Sequence, residues 1–65
     1  MRAKQLIEKL EDLATFFSLA AADAGEHKEA SHMRGDYTAG AIWEGRQVAN
    51  REAFNKVDKI IREAK

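Results

Sequence analysis

The sequence predicts an all-α fold, an antiparallel hairpin of two helices that assembles into a homo-oligomeric helical bundle. Apolar residues recur at helical spacing in both halves of the chain. The chain contains no proline, and 34% of its residues are charged, a composition typical of helical hairpins and bundles. Sixty-five residues make one domain, covering 1–65, and so short a chain usually needs a staple or a partner chain for stability.

The first helix is predicted over about residues 3–24. Its apolar residues are spaced alternately three and four apart, and they are Ala3, Leu6, Leu10, Leu13, Phe17, Ala20 and Ala24. With Ile7, Phe16 and Leu19 added, the apolar arc spans about 240° at about 100° per residue. A helix packed on one neighbour needs a stripe only a little over about 100° wide. The excess predicts contacts between copies, through Leu6, Leu10, Leu13, Phe16, Phe17, Leu19, Ile42, Val57 and Ile60.

The position of the turn is open between two layouts. Residues 26–35 are polar, and Gly25 and Gly35 are both suited to end a helix, because glycine adopts the left-handed conformation without strain. In the favoured layout the first helix ends near Gly25 and a polar linker covers 25–35, because the apolar seam stops at Ala24. In the other layout the helix continues and turns at Gly35. Asp36 then caps the second helix, over about 36–64.

The second helix has an apolar stripe that polar residues interrupt. Its members are Ile42, Ala49, Ala53, Val57, Ile60 and Ala64. Arg46 is expected about 20° from the centre of this stripe, with Trp43 and Asn50 on one flank. Gly45 also flanks the stripe and is expected to allow close packing of another backbone.

Two interpretations of the polar residues in this apolar stripe stay open. In the structural one, Arg46 pairs with Glu11, Asp12 or an acid of another subunit, and Asn50 sets the helix register. In the functional one, Arg46, Trp43, Asn50 and Tyr37 form a ligand pocket between subunits. Arginine offers a planar fork to phosphate, and the aromatic rings could stack on a base.

The sequence carries no signature of catalysis, a cofactor or a metal. It has no cysteine nucleophile, no recognisable base beside its serines and no phosphate-binding glycine loop. His27 and His32 are five residues apart, which suits neither a helical ligand pair nor a zinc finger, so we expect solvated loop histidines. The prediction is therefore a non-enzymatic protein without a cofactor or a metal.

Charge and hydropathy limit which partners and which cellular location we expect. The formal net charge is zero and the sequence has no concentrated basic face, so nucleic-acid binding is not expected. No stretch is long and apolar enough to span a membrane, and charges interrupt the N-terminal region where a signal peptide would need an apolar core. We expect a cytoplasmic protein.

The second half of the chain resembles the C-terminal helix of small helical-hairpin proteins encoded by phages and prophages. The residues that carry the resemblance are Tyr37, Gly40, Glu44-Gly45-Arg46, Ala49, Glu52-Ala53 and Ile60-Ile61-Arg62. The resemblance implies a bacterial host cell and a possible anti-defence role. The expected function is stoichiometric sequestration of a small phosphate-bearing nucleotide ligand at a subunit interface. The alternatives are a protein inhibitor of a host defence protein or CRISPR effector, and a purely structural or assembly bundle.

Overall fold

The computed structural model of the protein describes residues 2–65, with side chains from Ala3 onward. It contains two helices, α1 over Arg2–Met33 and α2 over Tyr37–Ala64. They pack side by side as an antiparallel hairpin with extents of 51 × 14 × 11 Å. The predicted all-α hairpin is confirmed. Neither described helix has a stretch that is apolar enough, over a sufficient length, to cross a membrane.

A tight turn at Gly35 joins the two helices. The amide of Asp36 donates to the carbonyl of Ser31 at 2.8 Å, and that of Gly35 donates to His32 at 3.0 Å. Gly35 adopts a φ of 77°, the left-handed conformation that only glycine takes cheaply. The Asp36 carboxylate then accepts a hydrogen bond from the Ala39 amide and caps α2, as its position after Gly35 predicts.

The predicted linker over 25–35 is wrong, because α1 continues without a break to Met33. The polar stretch is helical because the residues on the side that faces α2 can be buried against it. Ser31 is completely buried there, and its hydroxyl donates to the His27 carbonyl oxygen at 2.8 Å. Because the Ser31 hydroxyl is hydrogen-bonded within its own helix, the residue can be buried against α2 without another polar partner. The contact between the helices therefore continues into the polar stretch.

The contact between the helices follows a regular seam on each. The buried and half-buried positions of α1 include Ile7, Leu10, Ala14, Phe17, Ala21, Ala24, Lys28 and Ser31. Those of α2 include Gly40, Trp43, Gln47, Asn50, Phe54, Val57 and Ile61. Both sets alternate spacings of three and four, the pattern of paired helices.

Both predicted seams are therefore rotated from the observed ones. On α1, Leu6 and Leu13 are 59% and 42% exposed, and the helix is turned so that Ile7 and Ala14 face α2 instead. On α2, the predicted stripe lies mostly beside the contact, and Arg46 is exposed. The cause is the same in both helices: large apolar side chains lie beside the seam, as Phe16 and Ile42 do, as well as in it, as Phe17 and Phe54 do.

Two glycines in the half of the hairpin next to the turn leave room for side chains of the facing helix. A Cβ on Gly40 would lie 2.3 Å from the His32 ring, and one on Gly25 would lie 2.7 Å from the Gln47 amide nitrogen. Gly45, where close packing was predicted, faces open space instead. Gly25 and Gly40 therefore each lie against a side chain of the facing helix, and any larger residue at either position would push that side chain aside.

The intramolecular core is small. The buried apolar residues are Ala14, Ala24 and Ile61. The accessible surface is 5089 Å², whereas a compact monomer of 7.3 kDa exposes about 4,200 Å². Folding of the hairpin alone consequently leaves about 900 Å² more surface in water than is usual for this mass.

Candidate functional site

The two faces of the hairpin differ in chemistry. In an antiparallel helix pair, the corresponding flanks of the two seams lie on the same face. One face, here called the apolar face, carries the apolar flanks of both helices. Its members are Leu6, Leu13, Phe16 and Ala20 of α1, with Ile42, Ala49, Ala53 and Ile60 of α2. The opposite face, here called the polar face, carries Glu11, Lys28, Glu44, Asp58 and Lys65.

Ion pairs tie the helices together on the polar face. Lys28 Nζ lies 3.4 Å from Glu44 Oε1, and Lys65 Nζ lies 3.5 Å from Glu11 Oε2. A shallow groove of about 310 Å³ opens on this face near the chain ends. Its charges satisfy one another, since Asp58 pairs with Arg62 and Glu11 with Lys65. The groove therefore offers no free charge to a ligand.

The apolar face leaves large side chains in water. Phe16 is 61% exposed, Leu6 59%, Ile42 57% and Ile60 50%. Scattered exposed apolar residues are ordinary, but a contiguous set along one face indicates an interaction surface. Leu19 is also exposed, further round the back of α1, outside the apolar face.

A cluster of polar and aromatic side chains lies at the turn end of the apolar face. The His27 and Trp43 rings stack across the two helices, with centroids 4.3 Å apart and planes 18° apart. The Arg46 guanidinium carbon lies 4.7 Å from the centroid of the indole. His27 Nε2 is 3.5 Å from a carboxylate oxygen of Asp23. This arrangement is here called the Trp43 cluster.

Arg46 has no anionic partner among the side chains that the structure describes. Acids pair with helical bases three or four residues away, and those positions around Arg46 hold Ile42, Trp43, Ala49 and Asn50. No described hydrogen bond or ion pair involves its guanidinium. The five donors of the group face solvent or the surface of the indole.

Two of the four predicted ligand residues, Arg46 and Trp43, are in contact. Asn50 lies half-buried in the seam one turn beyond Arg46. Tyr37 is separate, because it lies on the other flank of α2, 69% exposed, with its ring 5.5 Å from that of His32. The turn at Gly35 also sets Arg46 far from the level of Glu11 and Asp12, the acids suggested from the sequence.

The predicted oligomer residues divide into two groups. Leu10, Phe17 and Val57 are half-buried in the seam between α1 and α2. The remaining six are exposed: Leu6, Leu13, Phe16, Leu19, Ile42 and Ile60.

His27 and Asp23 belong to the cluster and were missed by sequence reasoning. His27 and His32 both lie within α1, so their assignment to a loop is wrong, and His27, half exposed, stacks on Trp43. Two signals were present. Asp23 and His27 have the i,i+4 spacing of a helical pair, and His27 and Trp43 are each eight residues from Gly35.

Two of the described hydroxyl groups bond to the backbone. The hydroxyls of Thr15 and Ser31 donate to carbonyl oxygens of their own helix, those of Glu11 and His27. Among residues 3–65, no group of three His, Asp or Glu side chains is placed to hold a metal ion. What the cluster offers chemically is a cation fixed on an aromatic ring at the edge of an apolar surface.

Comparison of the chain with protein-family models, with curated proteins and with solved structures gives no match.

Proposed function

We propose that the protein is a non-enzymatic binding protein whose working form is a homo-oligomeric helical bundle joined through the apolar face. The observation that carries the proposal is the contrast between the faces. Leu6, Phe16, Ile42 and Ile60 are half or more exposed on one face, while ion pairs connect the helices on the other. Covering the apolar face removes from water the surface that the hairpin cannot bury by itself.

The available area suits a second copy of the chain. The hairpin extends 51 by 14 Å between Cα atoms, or about 700 Å² in projection, and side chains add to that. A standard protein interface hides about 800 Å² on each partner. The excess surface of about 900 Å² over a compact monomer is of the same size. Two hairpins joined face to face would form a four-helix bundle.

Charge also permits the association of identical copies. The formal net charge is zero, so two copies do not repel one another at long range. The outer positions of the apolar face carry both signs, the acids Asp23 and Glu63 and the bases Arg46 and Lys56. An exposed apolar face needs a partner at all times, and further copies of the chain are always present where the protein is made.

A matched pair of variants tests this function by analytical ultracentrifugation. Leu13 lies on the apolar face and is 42% exposed, while Val48 lies off it and is 45% exposed. Leu13→Lys should dissociate the oligomer, because a buried lysine at the interface would lose its hydration. Val48→Lys should leave the oligomer intact. A wild-type monomer at micromolar concentration, or equal effects of the two variants, would contradict the proposal.

The resemblance to phage and prophage hairpin proteins supports a more specific setting. In that setting the bundle acts in the cytoplasm of a bacterial host and sequesters a small phosphate-bearing ligand at a subunit interface. The alternative is that the apolar face docks on a host defence protein. A wild-type monomer that becomes insoluble at high concentration would favour this alternative, since the face would then lack its proper cover. A bundle with only a structural or assembly role remains the third possibility.

A further inference from the structure

We infer that Arg46, held on the Trp43 indole, binds the phosphate group of a small ligand and that the ligand is recognised by its anion alone. The inference names the ligand chemistry of the proposed binding protein and so rests on that function. It departs from the sequence-based hypothesis in one respect. The structure gives the aromatic ring a supporting role and leaves recognition to the guanidinium.

The first step of the argument is that Arg46 is a cation without an anion. Some bases of α2 have acids at helical spacing, as Arg62 has Asp58 and Lys59 has Glu63. Arg46 has none at those positions, and no described side chain of α1 replaces it. Its planar fork of N–H donors matches the oxygens of phosphate.

The second step is that the guanidinium is positioned before any ligand arrives. Its carbon lies 4.7 Å from the centroid of Trp43, and Trp43 is held across the hairpin by His27. His27 in turn lies 3.5 Å from Asp23. A flexible surface arginine would lose much side-chain entropy on binding, whereas an arginine resting on a fixed ring loses less.

The third step is that a second donor residue is a helical neighbour of Arg46. Asn50, four residues on, lies one turn away on the same side of α2 and is half-buried. Its amide carries two N–H donors. The single acid nearby, Asp23, faces His27, so its charge is partly engaged.

The fourth step excludes a base stacked on Trp43 as the main contact. The indole already contacts the His27 ring and the Arg46 guanidinium, and it is half-buried in the seam. A base could stack there only by displacing one of these groups. Affinity should accordingly depend on the phosphate and hardly on what it is attached to.

The test uses Trp43 fluorescence, since this is the only tryptophan of the chain. Inorganic phosphate, ribose 5-phosphate, AMP and UMP are titrated at constant ionic strength, and ³¹P NMR line broadening gives a second readout. All four should produce a saturable change with similar dissociation constants, and adenosine should produce none. A much tighter dissociation constant for AMP than for ribose 5-phosphate would overturn recognition by the anion alone.

Variants at Arg46 and Arg51 locate the site. Arg46→Met should weaken binding by roughly tenfold or more, and Arg46→Lys should weaken it less, because lysine keeps the charge without the fork. Arg51→Met is the matched control, since Arg51 is also exposed and without an acid at helical spacing but has no described aromatic contact. Equal losses in Arg46→Met and Arg51→Met would show unspecific charge binding and overturn the inference.

Sedimentation of the same samples separates this inference from the proposed function. An intact oligomer without phosphate binding refutes the inference and leaves the function standing. Phosphate binding by a monomer refutes the oligomeric function and supports the site. If Arg46→Met dissociates the oligomer, the guanidinium is neutralised by a second copy, and the inference fails.

Discussion

The two faces of this hairpin are built from the same two helices but differ in how far their side chains are satisfied within the chain. On the polar face, Lys28 and Glu44, and likewise Glu11 and Lys65, satisfy each other across the seam. On the apolar face, side chains such as Phe16 remain exposed, and Arg46 has no described anion. The comparison teaches that the polar face pairs charges across the seam within one chain, whereas the apolar face leaves large side chains and the Arg46 guanidinium exposed.

Adjacent isoleucines give the largest expected contrast between the seam and the apolar face. Ile61 is 6% exposed in the seam, and Ile60 is 50% exposed on the apolar face. Ile61→Ala should lower the free energy of unfolding by about 2–5 kcal/mol at any protein concentration, because it removes core packing. Ile60→Ala should act mainly through association, with a loss that is absent where both proteins are monomeric and grows as protein concentration rises. Urea unfolding at several concentrations checks both, and a concentration-independent loss for Ile60→Ala would remove the distinction.

Two glycines of α2 test the close approach near the turn with a smaller effect. Gly45→Ala should raise the free energy of unfolding by about 1 kcal/mol, since its Cβ meets open space and alanine favours the helix. Gly40→Ala should fail to show this gain, because the new Cβ would displace the His32 ring. Adding His32→Ala to Gly40→Ala should restore the gain. Thermal unfolding of the four proteins measures it, and equal gains at Gly40 and Gly45 would show that the contact is loose.

The polar face should give the smallest effect. Glu44→Gln removes the partner of Lys28 across the seam, where the two side chains are 57% and 28% exposed. An ion pair in that exposure range contributes about 0–1 kcal/mol and is screened by salt. Unfolding by urea in low and in high salt should show a small loss that disappears in the latter. A loss that persists in high salt would mean that the polar face holds the hairpin more strongly than its exposure suggests.

The fold class could be predicted from the sequence because it depends on helical periodicity and composition. The register could not, because large apolar residues lie both in the seam, as Phe17 does, and beside it, as Leu13 and Ile60 do. Near the turn the seam of α1 uses polar residues, Lys28 and Ser31, which carry no hydrophobic signal. The same residues made the end of α1 resemble a linker.

The candidate site was found in part for a related reason. Trp43, Arg46 and Asn50 are close on one helix, so helical spacing alone groups them. His27 joins them only through the fold, and its place follows from the turn position, which the sequence left open between Gly25 and Gly35. Knowing that the chain folds back at Gly35 is sufficient to pair His27 with Trp43.

The shared register of the two seams has a consequence for how such a chain can change in length. One residue inserted in the middle of α2 would rotate everything after it by about 100°. Ile60 would then leave the apolar face, and Ile61 would leave the seam. Seven residues added to each arm would instead extend the seam and both faces together by two turns of each helix. Relatives of different length are accordingly expected to differ by whole heptads in both helices, with Gly35 and its turn unchanged.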